Sequence, residues 1–593
     1  MSSGKHFDTT GQDLIGAALK SVLRQNPDVS LLEADRVLFR RPDPSTPKVT
    51  LLSGGGSGHE PIHGGFVGYA GLDAAVAGAL FASPSSNQVT AGLKAIASPK
   101  GTLIIVKNYT GDIIHFGLAA ERAKARGQNI RMVIVTDDTA VGRKQGGLVG
   151  RRGLAGTVLV HKCAGALAAA GADLDAVANL AQAVIDNTAT IGASLDHCTI
   201  PGRAHNETEL LKADQMEIGM GIHNEPGIKH LSPIPTVPDL VSQLLPYILD
   251  TSDEDRAFVK FDSSDEIVLL VNNLGGLSAL EFGGIVEATV QLLKSKYSIA
   301  PVRVYAGPFI TALNGEGFSI TLLNATKASE AASTSVLDLL DAPCGFVGWN
   351  NFVSPESWKT NKFDVIKDSL VQEESGTSSN TASVPVDSKV VEKALSGVVD
   401  NLISAEPKIT RYDTIAGDGD CGETLKDGAL AISKALKDKS IDTSNLFNTV
   451  YSLTHIVEES MGGTSGGLYA IFLSALAGEV AKIKGDVSSK EVGKASKAAL
   501  DALFKYTKAR PGHRTLIDAL VPFVDALANG DGIKAAASAA EQGAESTKQL
   551  EAKFGRASYV SREELASFDN EGGIPDPGAV GVAELAKGIA SAF

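Results

Sequence analysis

From the first residue to about 350, short β-branched runs alternate with Ala- and Gly-rich stretches of helical period, an alternation that predicts an α/β fold. The clearest strands are Val49–Leu52, Leu103–Lys107, Met132–Thr136, Ile267–Asn272, Val302–Tyr305 and Ser319–Leu323. Several run straight into a polar or Gly-rich loop. Ligands of open α/β sheets bind outside the carboxyl ends of strands, so chemistry is expected in those loops. The pattern weakens around 190–260, which predicts two subdomains, about 1–195 and 196–350. A linker is expected over 351–386, because Gln372 to Pro385 carries too few large apolar side chains to pack. Beyond it Val390, Val391, Ala394, Leu395, Val398 and Leu402 recur at helical spacing, as do Leu446, Phe447, Val450, Leu453 and Val457. Residues 387–593 therefore read as all-helical, with about eight helices.

Composition narrows the partners. A net charge of −15 argues against nucleic-acid or anionic-membrane surfaces, which need dense Lys and Arg. It also means that an anionic substrate needs local help from metal or backbone N–H groups. The four cysteines, Cys163, Cys198, Cys344 and Cys421, have no metal-ligand spacing and suit a reducing compartment. With no signal-peptide pattern at the N-terminus and no run of about 18 apolar residues, a cytoplasmic location is expected.

Asp413 to Gly422 sets three carboxylates among three glycines. That much like charge suits a hard divalent cation shared with a substrate phosphate, the alternative being an Asp/Gly turn. An EF-hand calcium loop needs ligands at positions this stretch does not supply. Later, Met461 to Gly467 reads as a helix-opening Gly-Gly-Thr-Ser-Gly run whose free N–H groups and hydroxyls suit phosphate. Arg510 to Thr515 and Asp576 to Gly578 also stand at expected helix starts, where ordinary capping is a sufficient explanation.

In the α/β half, Ser53 to Pro61 follows a strand. Its glycines allow close backbone approach to a small ligand, although the stretch is neither a Walker loop nor a dinucleotide fingerprint, and a helix-capping loop is the alternative. Lys107 to Asp112 ends another strand, with Asp112 either an acid/base group or an N-cap. Glu217 to Gly227 sets glycines around His223, which is either a nucleophile or base, or a hydrogen-bonded histidine with no chemical role. Without sulfur partners these loops make no zinc site.

Taken together, the runs 53–61, 107–112, 221–227, 271–276, 417–422, 461–466 and 576–579 resemble, in order, the motifs of the dihydroxyacetone kinases, in the ATP-dependent two-domain form also called triokinase or glycerone kinase. The resemblance covers nearly the whole chain outside the linker. It implies a ketone held covalently, as a hemiaminal, on His223. Gly56, Ser57, Gly58, His59, Lys107 and Asp112 would line that pocket, with His59 and Asp112 as acid and base. It implies an eight-helix antiparallel barrel in which Asp413, Asp418 and Asp420 hold two Mg²⁺ against ATP. Gly419 and Cys421 in the same loop, Thr464, Ser465, Arg514, Thr515, Asp576, Pro577 and Gly578 would meet the nucleotide. It further implies a homodimer whose kinase sites are shared between chains. Three positions depart from the pattern: Asn224 for a glycine, Cys421 for a histidine and His513 for an aspartate. Two other readings stand beside the kinase, FAD-AMP lyase chemistry at the same metal site and a non-catalytic sensor; the second would be expected to lack His223 or the helical half.

Overall fold

The structure is a computed structural model that describes residues 5–7, 13–146, 149–202, 211–350, 353–360, 365, 382–485, 487–553, 556–560, 565 and 573–593. The chain separates into two compact units, Met1–Asp364 and Val365–Phe593.

The first unit is built on two six-stranded sheets. One contains β1 (Val29–Leu32), β2 (Val37–Arg40), β3 (Thr50–Ser57), β4 (Ala74–Leu80), β5 (Thr102–Lys107) and β6 (Ile130–Val135), in the order β1-β2-β4-β3-β5-β6. β4, β3, β5 and β6 run parallel, and every residue of the apolar run Thr-Leu-Ile-Ile-Val-Lys in β5 is buried. A parallel strand covered on both faces has to be continuously apolar, and that is why β5 was readable from sequence. The register Thr50↔Thr102 through Ser53↔Ile105 sets the carboxyl ends of β3 and β5 side by side. The histidine loop after β3 and the Lys107 loop after β5 therefore become neighbours.

The second sheet contains β7 (Thr188–Ser194), β8 (Met216–Ile218), β9 (Lys229–Leu231), β10 (Ile267–Asn273), β11 (Arg303–Gly307) and β12 (Gly317–Asn324), in the order β11-β10-β12-β7-β8-β9. Because β7 pairs with β12, the change from first to second sheet falls before Thr188 and not near Leu195. The run Thr-Ala-Thr-Ile-Gly-Ala-Ser has one large apolar side chain, too weak a signal to read as a strand. The two sheets touch where it matters: Thr311 and Leu313 donate their N–H groups to the carbonyls of His59 and Gly58, at 3.2 and 2.9 Å.

The second unit contains eight α-helices of 13 residues or more among the described residues: Ser388–Ala416, Cys421–Lys437, Leu446–Ser460, Gly463–Val480, Ser489–Leu503, Ile517–Asn529, Ile533–Ser546 and Pro577–Ala590. Each packs on the next and the last returns to the first, so the ring closes. Inside lies an apolar cavity of about 250 Å³, walled by side chains such as Leu425, Met461, Phe472 and Leu520. The expected linker lies outside the described residues from 366 to 381. Its last residues are anchored: Val384 is buried and Ala382 accepts a hydrogen bond from Asn445.

Candidate functional site

The loop after β3 carries His59, 1 % exposed, beside His223 from the Gly-rich run 217–227. Their Nε2 atoms lie 3.0 Å apart. His59 Nδ1 is 2.8 Å from the Thr311 carbonyl, and His223 Nδ1 is 2.7 Å from Glu225 Oε1. A carbonyl and a carboxylate only accept, so both rings give away their Nδ1 protons and turn Nε2 towards each other. The contact then needs one proton between the two nitrogens. With that proton gone, His223 Nε2 is a lone pair backed by a carboxylate, the arrangement that makes an imidazole nucleophilic.

Burial alone would raise the Glu225 carboxyl, but the bonds from the His223 ring and from its backbone N–H, 2.9 Å to Oε2, hold it down at about 2. A carboxyl lowered from 4.5 stays ionised throughout the neutral range, and its contribution fades only as pH falls through about 2. Burial and the neighbouring Lys107 keep His59 well below the usual imidazole range, hence neutral. Phe81 stacks on His59 at 5.1 Å, and Phe81 and Tyr109 stand edge-on to His223 at 5.2 and 4.8 Å, fixing both rings. Gly58, at φ 103°, packs so closely on Phe81 that a Cβ would stand 2.7 Å from its ring. Only glycine suits that position.

Lys107, 1 % exposed, and Asp112, 4 % exposed, complete the group. Burial pushes the Lys107 ammonium down, and pushes the Asp112 carboxyl up against the pull of Lys107. Asp112 is not the N-cap: the helix Thr110–Lys124 is capped by Tyr109, and Asp112 stands in its first turn. The extended backbone preference of Tyr109 starts the helix earlier than an Asp cap would. Nor does 53–61 cap a helix, since its first part is β3 itself. The Ser57 hydroxyl is spent on the Gly78 carbonyl at 2.9 Å, and its own carbonyl accepts from the Phe81 N–H at 3.0 Å.

The His223 loop is pinned from two sides. Arg152 pairs with buried Asp138 at 2.6 Å and donates to the Gly219 carbonyl at 2.7 Å. Asn224, at φ 63°, accepts from the Cys198 N–H and donates to the Cys198 carbonyl, both at 3.0 Å. The departure from glycine thus keeps the left-handed backbone and adds a clamp. Asn224→Gly should lose only the clamp, whereas Asn224→Ala should also incur about 1 kcal/mol of backbone strain. Thermal unfolding is expected to rank them wild type, Gly, Ala; equal midpoints for Gly and Ala would remove the strain argument.

In the helical unit the residues singled out by sequence converge on one cavity of about 400 Å³. Its wall includes Asp413, Asp418, Asp420, Cys421, Thr464, Ser465, Arg514, Thr515, Asp576, Pro577 and Gly578, with Gly419 in the same loop. Carboxylate oxygens of Asp413, Asp418 and Asp420 lie within 4.8 Å of one another. Like charges this close, two of them exposed, fit a hard cation with oxygen ligands. Buried Asp413 also shapes the loop, since its Oδ2 accepts from the N–H groups of Gly419 and Cys421 at 3.1 and 3.0 Å. Across the cavity, the helix Gly463–Val480 starts at Gly462 with no side-chain cap, leaving first-turn N–H groups and the Thr464 hydroxyl for anions, while the Ser465 hydroxyl meets the Cys421 sulfur.

Asp576 is an N-cap, as the plain reading of its motif had it, accepting from Ala579 N–H at 2.8 Å. Burial raises its carboxyl to about 6 against the pull of Arg514, itself 1 % exposed. Burial and nearby acids push the Cys421 thiol up to about 12, so it stays protonated and inert. His513 is not on the cavity wall; its Nδ1 accepts from Arg510 N–H at 3.2 Å. Glu225, Phe81, Tyr109, Arg152 and Thr311, and Thr507 and Ala509 in the helical cavity, had no assigned role in the sequence reading. Only Glu225 had a signal, its place two residues after His223.

Comparison with known proteins is consistent across both units. The family models described as Dak1 domain and DAK2 domain match residues 20–347 and 415–591. The chain is 51% identical to the dihydroxyacetone kinase of Pichia angusta, over 100% of this chain and 99% of that one. It is 38% identical to the triokinase/FMN cyclase of Rattus norvegicus, over 99% and 98%. Among solved structures, the dihydroxyacetone kinase from C. freundii in complex with AMP-PNP and Mg²⁺ matches with a TM-score of 0.65 and 29% identity, over 99% of this chain and 100% of that one. With both halves matched in order and relatives aligned from end to end, the chain belongs to the dihydroxyacetone kinase family.

Proposed function

We propose that this chain transfers the γ-phosphoryl group of ATP to dihydroxyacetone, and to D-glyceraldehyde, while His223 holds the carbonyl carbon as a hemiaminal. The observation that carries the reading is the His59–His223–Glu225 line, with His223 Nε2 turned to His59 and a carboxylate behind its Nδ1. His223 Nε2 adds to the carbonyl carbon. The C=O electron pair moves to oxygen, which takes a proton relayed from solvent through neutral His59, and the His223 ring, cationic once the N–C bond forms, passes its Nδ1 proton to Glu225. A ketone this small and uncharged offers few contacts, so a bond specific to a carbonyl supplies the discrimination against glycerol. Asp112 accepts the proton of the terminal hydroxyl as that oxygen attacks the γ-phosphorus, the bond from phosphorus to the ADP oxygen breaks and ADP leaves, and Lys107 offsets the charge.

At the other half, Asp413, Asp418 and Asp420 would hold Mg²⁺, two ions per site, which would supply neutralisation of the nucleotide's phosphate charge. The N–H groups opening the helix Gly463–Val480, with Thr464, Ser465 and Arg514, would position the phosphates, and Thr515, Asp576, Pro577 and Gly578 would take the rest of the nucleotide. We place the enzyme in the cytoplasm, where its four free cysteines stay reduced. We also propose a homodimer in which each kinase site draws on both chains. An equimolar mixture of the two dead proteins His223→Ala and Asp418→Asn should then recover about a quarter of wild-type activity; no recovery would remove the shared site.

A coupled ATP-consumption assay tests the main reading. Dihydroxyacetone and D-glyceraldehyde should be turned over and glycerol should not; turnover of glycerol alone would overturn it. The mammalian relative's name, triokinase/FMN cyclase, favours a second activity on FAD at the same metal site. Incubation with FAD and Mn²⁺ that yields no riboflavin cyclic phosphate would eliminate it.

A further inference from the structure

Beneath the ketone pocket lies a second histidine pair that the proposed chemistry does not use. His63, 6 % exposed, has its Nδ1 3.0 Å from Ser53 Oγ and 3.0 Å from Nε2 of fully buried His161. Ser53 Oγ gives its proton to the Ile105 carbonyl at 2.6 Å, so towards His63 it accepts. With its proton on Nδ1, facing Ser53 Oγ and His161 Nε2 as acceptors, His63 presents Nε2 as a bare lone pair. Burial, with Lys107 and His161 adding to it, keeps this ring neutral. Among the described residues His63 Nε2 has no hydrogen-bond partner, a condition that is rare and costly for a buried polar atom.

The direction in which that lone pair points is set by Gly55 in β3. A Cβ on Gly55 would stand 3.6 Å from His63 Nε2 and 3.3 Å from Asp112 Oδ2, so both atoms border one methyl-sized space. Both are acceptors. Two acceptors that share such a space are satisfied by a small group with two hydrogens to give. A water molecule has that size and that chemistry, and a neighbouring cavity of about 430 Å³, lined by Gly55 and His63, provides its way in.

We propose that the space beside Gly55 holds one ordered water that hydrogen-bonds His63 Nε2 and the Asp112 carboxylate, making His63 a positioning residue for Asp112. The water donates one hydrogen to each. It fixes the carboxylate from its Oδ2 side and leaves Oδ1, which has no partner among the described residues, for the substrate hydroxyl. The role of His63 rests on the reading of Asp112 as acid and base; the water itself does not.

A high-resolution crystal structure of the wild-type protein should show a density peak within hydrogen-bond reach of both groups, and Gly55→Ala should remove it. A wild-type map without the peak would overturn the proposal. Gly55→Ala fills the space with a methyl group that meets His63 Nε2 at van der Waals distance and stands close against Asp112 Oδ2, without altering either side chain. His63→Asn keeps a donor towards Ser53 but has no atom at the Nε2 position. Each should lower kcat for dihydroxyacetone about tenfold while the His223 adduct, read by native mass spectrometry, forms as in wild type. The double variant should fall no further than the poorer single one, because both changes break one link. Additive losses, or loss of the adduct in step with kcat, would mean ordinary structural damage and overturn the positioning role. Should either variant fold poorly, the wild-type map still decides the water. Full activity of Asp112→Asn would sink the acid/base reading and the role of His63 with it, and the unchanged density peak would tell that failure from failure of the water.

Discussion

His223→Ala is expected to abolish the mass increment that dihydroxyacetone leaves on the intact protein under native mass spectrometry, and to lower kcat/KM for the ketone about a thousandfold or more. The size of the effect follows from what is removed. His223 Nε2 would be the atom bonded to the substrate, and the Nδ1 contact at 2.7 Å and the Phe81 and Tyr109 rings exist to hold that one imidazole. Alanine deletes the bond and leaves Glu225 without the partner that keeps its carboxyl low. MgATP binding to the other half should be untouched, which a nucleotide titration of the variant measures. Unchanged turnover at low ketone concentration would refute covalent holding.

Asp418→Asn should give the opposite pattern, with MgATP affinity lost, turnover down by at least about a hundredfold, and the His223 adduct intact. Asp418 is the informative member of the three carboxylates. Asp413 also accepts two backbone hydrogen bonds, so replacing it would disturb the loop as well as the ligand set. Exposed Asp418 makes neither of those contacts, and the thermal midpoint of Asp418→Asn should stay near that of wild type. Treating wild-type protein with EDTA should reproduce the kinetic loss. If Asp418→Asn also lost the adduct, the two halves would not be chemically separable.

Much of this was legible in the sequence where burial is one-sided or complete. β5 and β10 are continuous apolar runs because they are covered on both faces, and the helices of the second unit show their apolar stripes. β4 was not legible, since Ala-Ala-Val-Ala-Gly-Ala-Leu has helical composition and becomes a strand only by pairing with β3 and β2. The acidic loop and the Gly-Gly-Thr-Ser run could each be picked out from local spacing, and the cavity then gathered them with Arg514 and Asp576. The His59–His223 contact joins residues 164 positions apart, and no local pattern reports which nitrogen faces which. Thr311, Arg152 and His63 carry ordinary-looking positions in sequence. Their parts come from where the second sheet and the buried floor of the pocket happen to meet the loops.

The bonds that Asp413 makes to Gly419 and Cys421 bear on how this enzyme would cycle. A loop that already has its shape from protein donors does not depend on a cation for its order, so chelation should silence the enzyme without melting it. The ions then belong to the nucleotide more than to the fold. Cations would enter with the nucleotide, and Asp413, Asp418 and Asp420 would meet them in a loop whose shape the Asp413 bonds already hold.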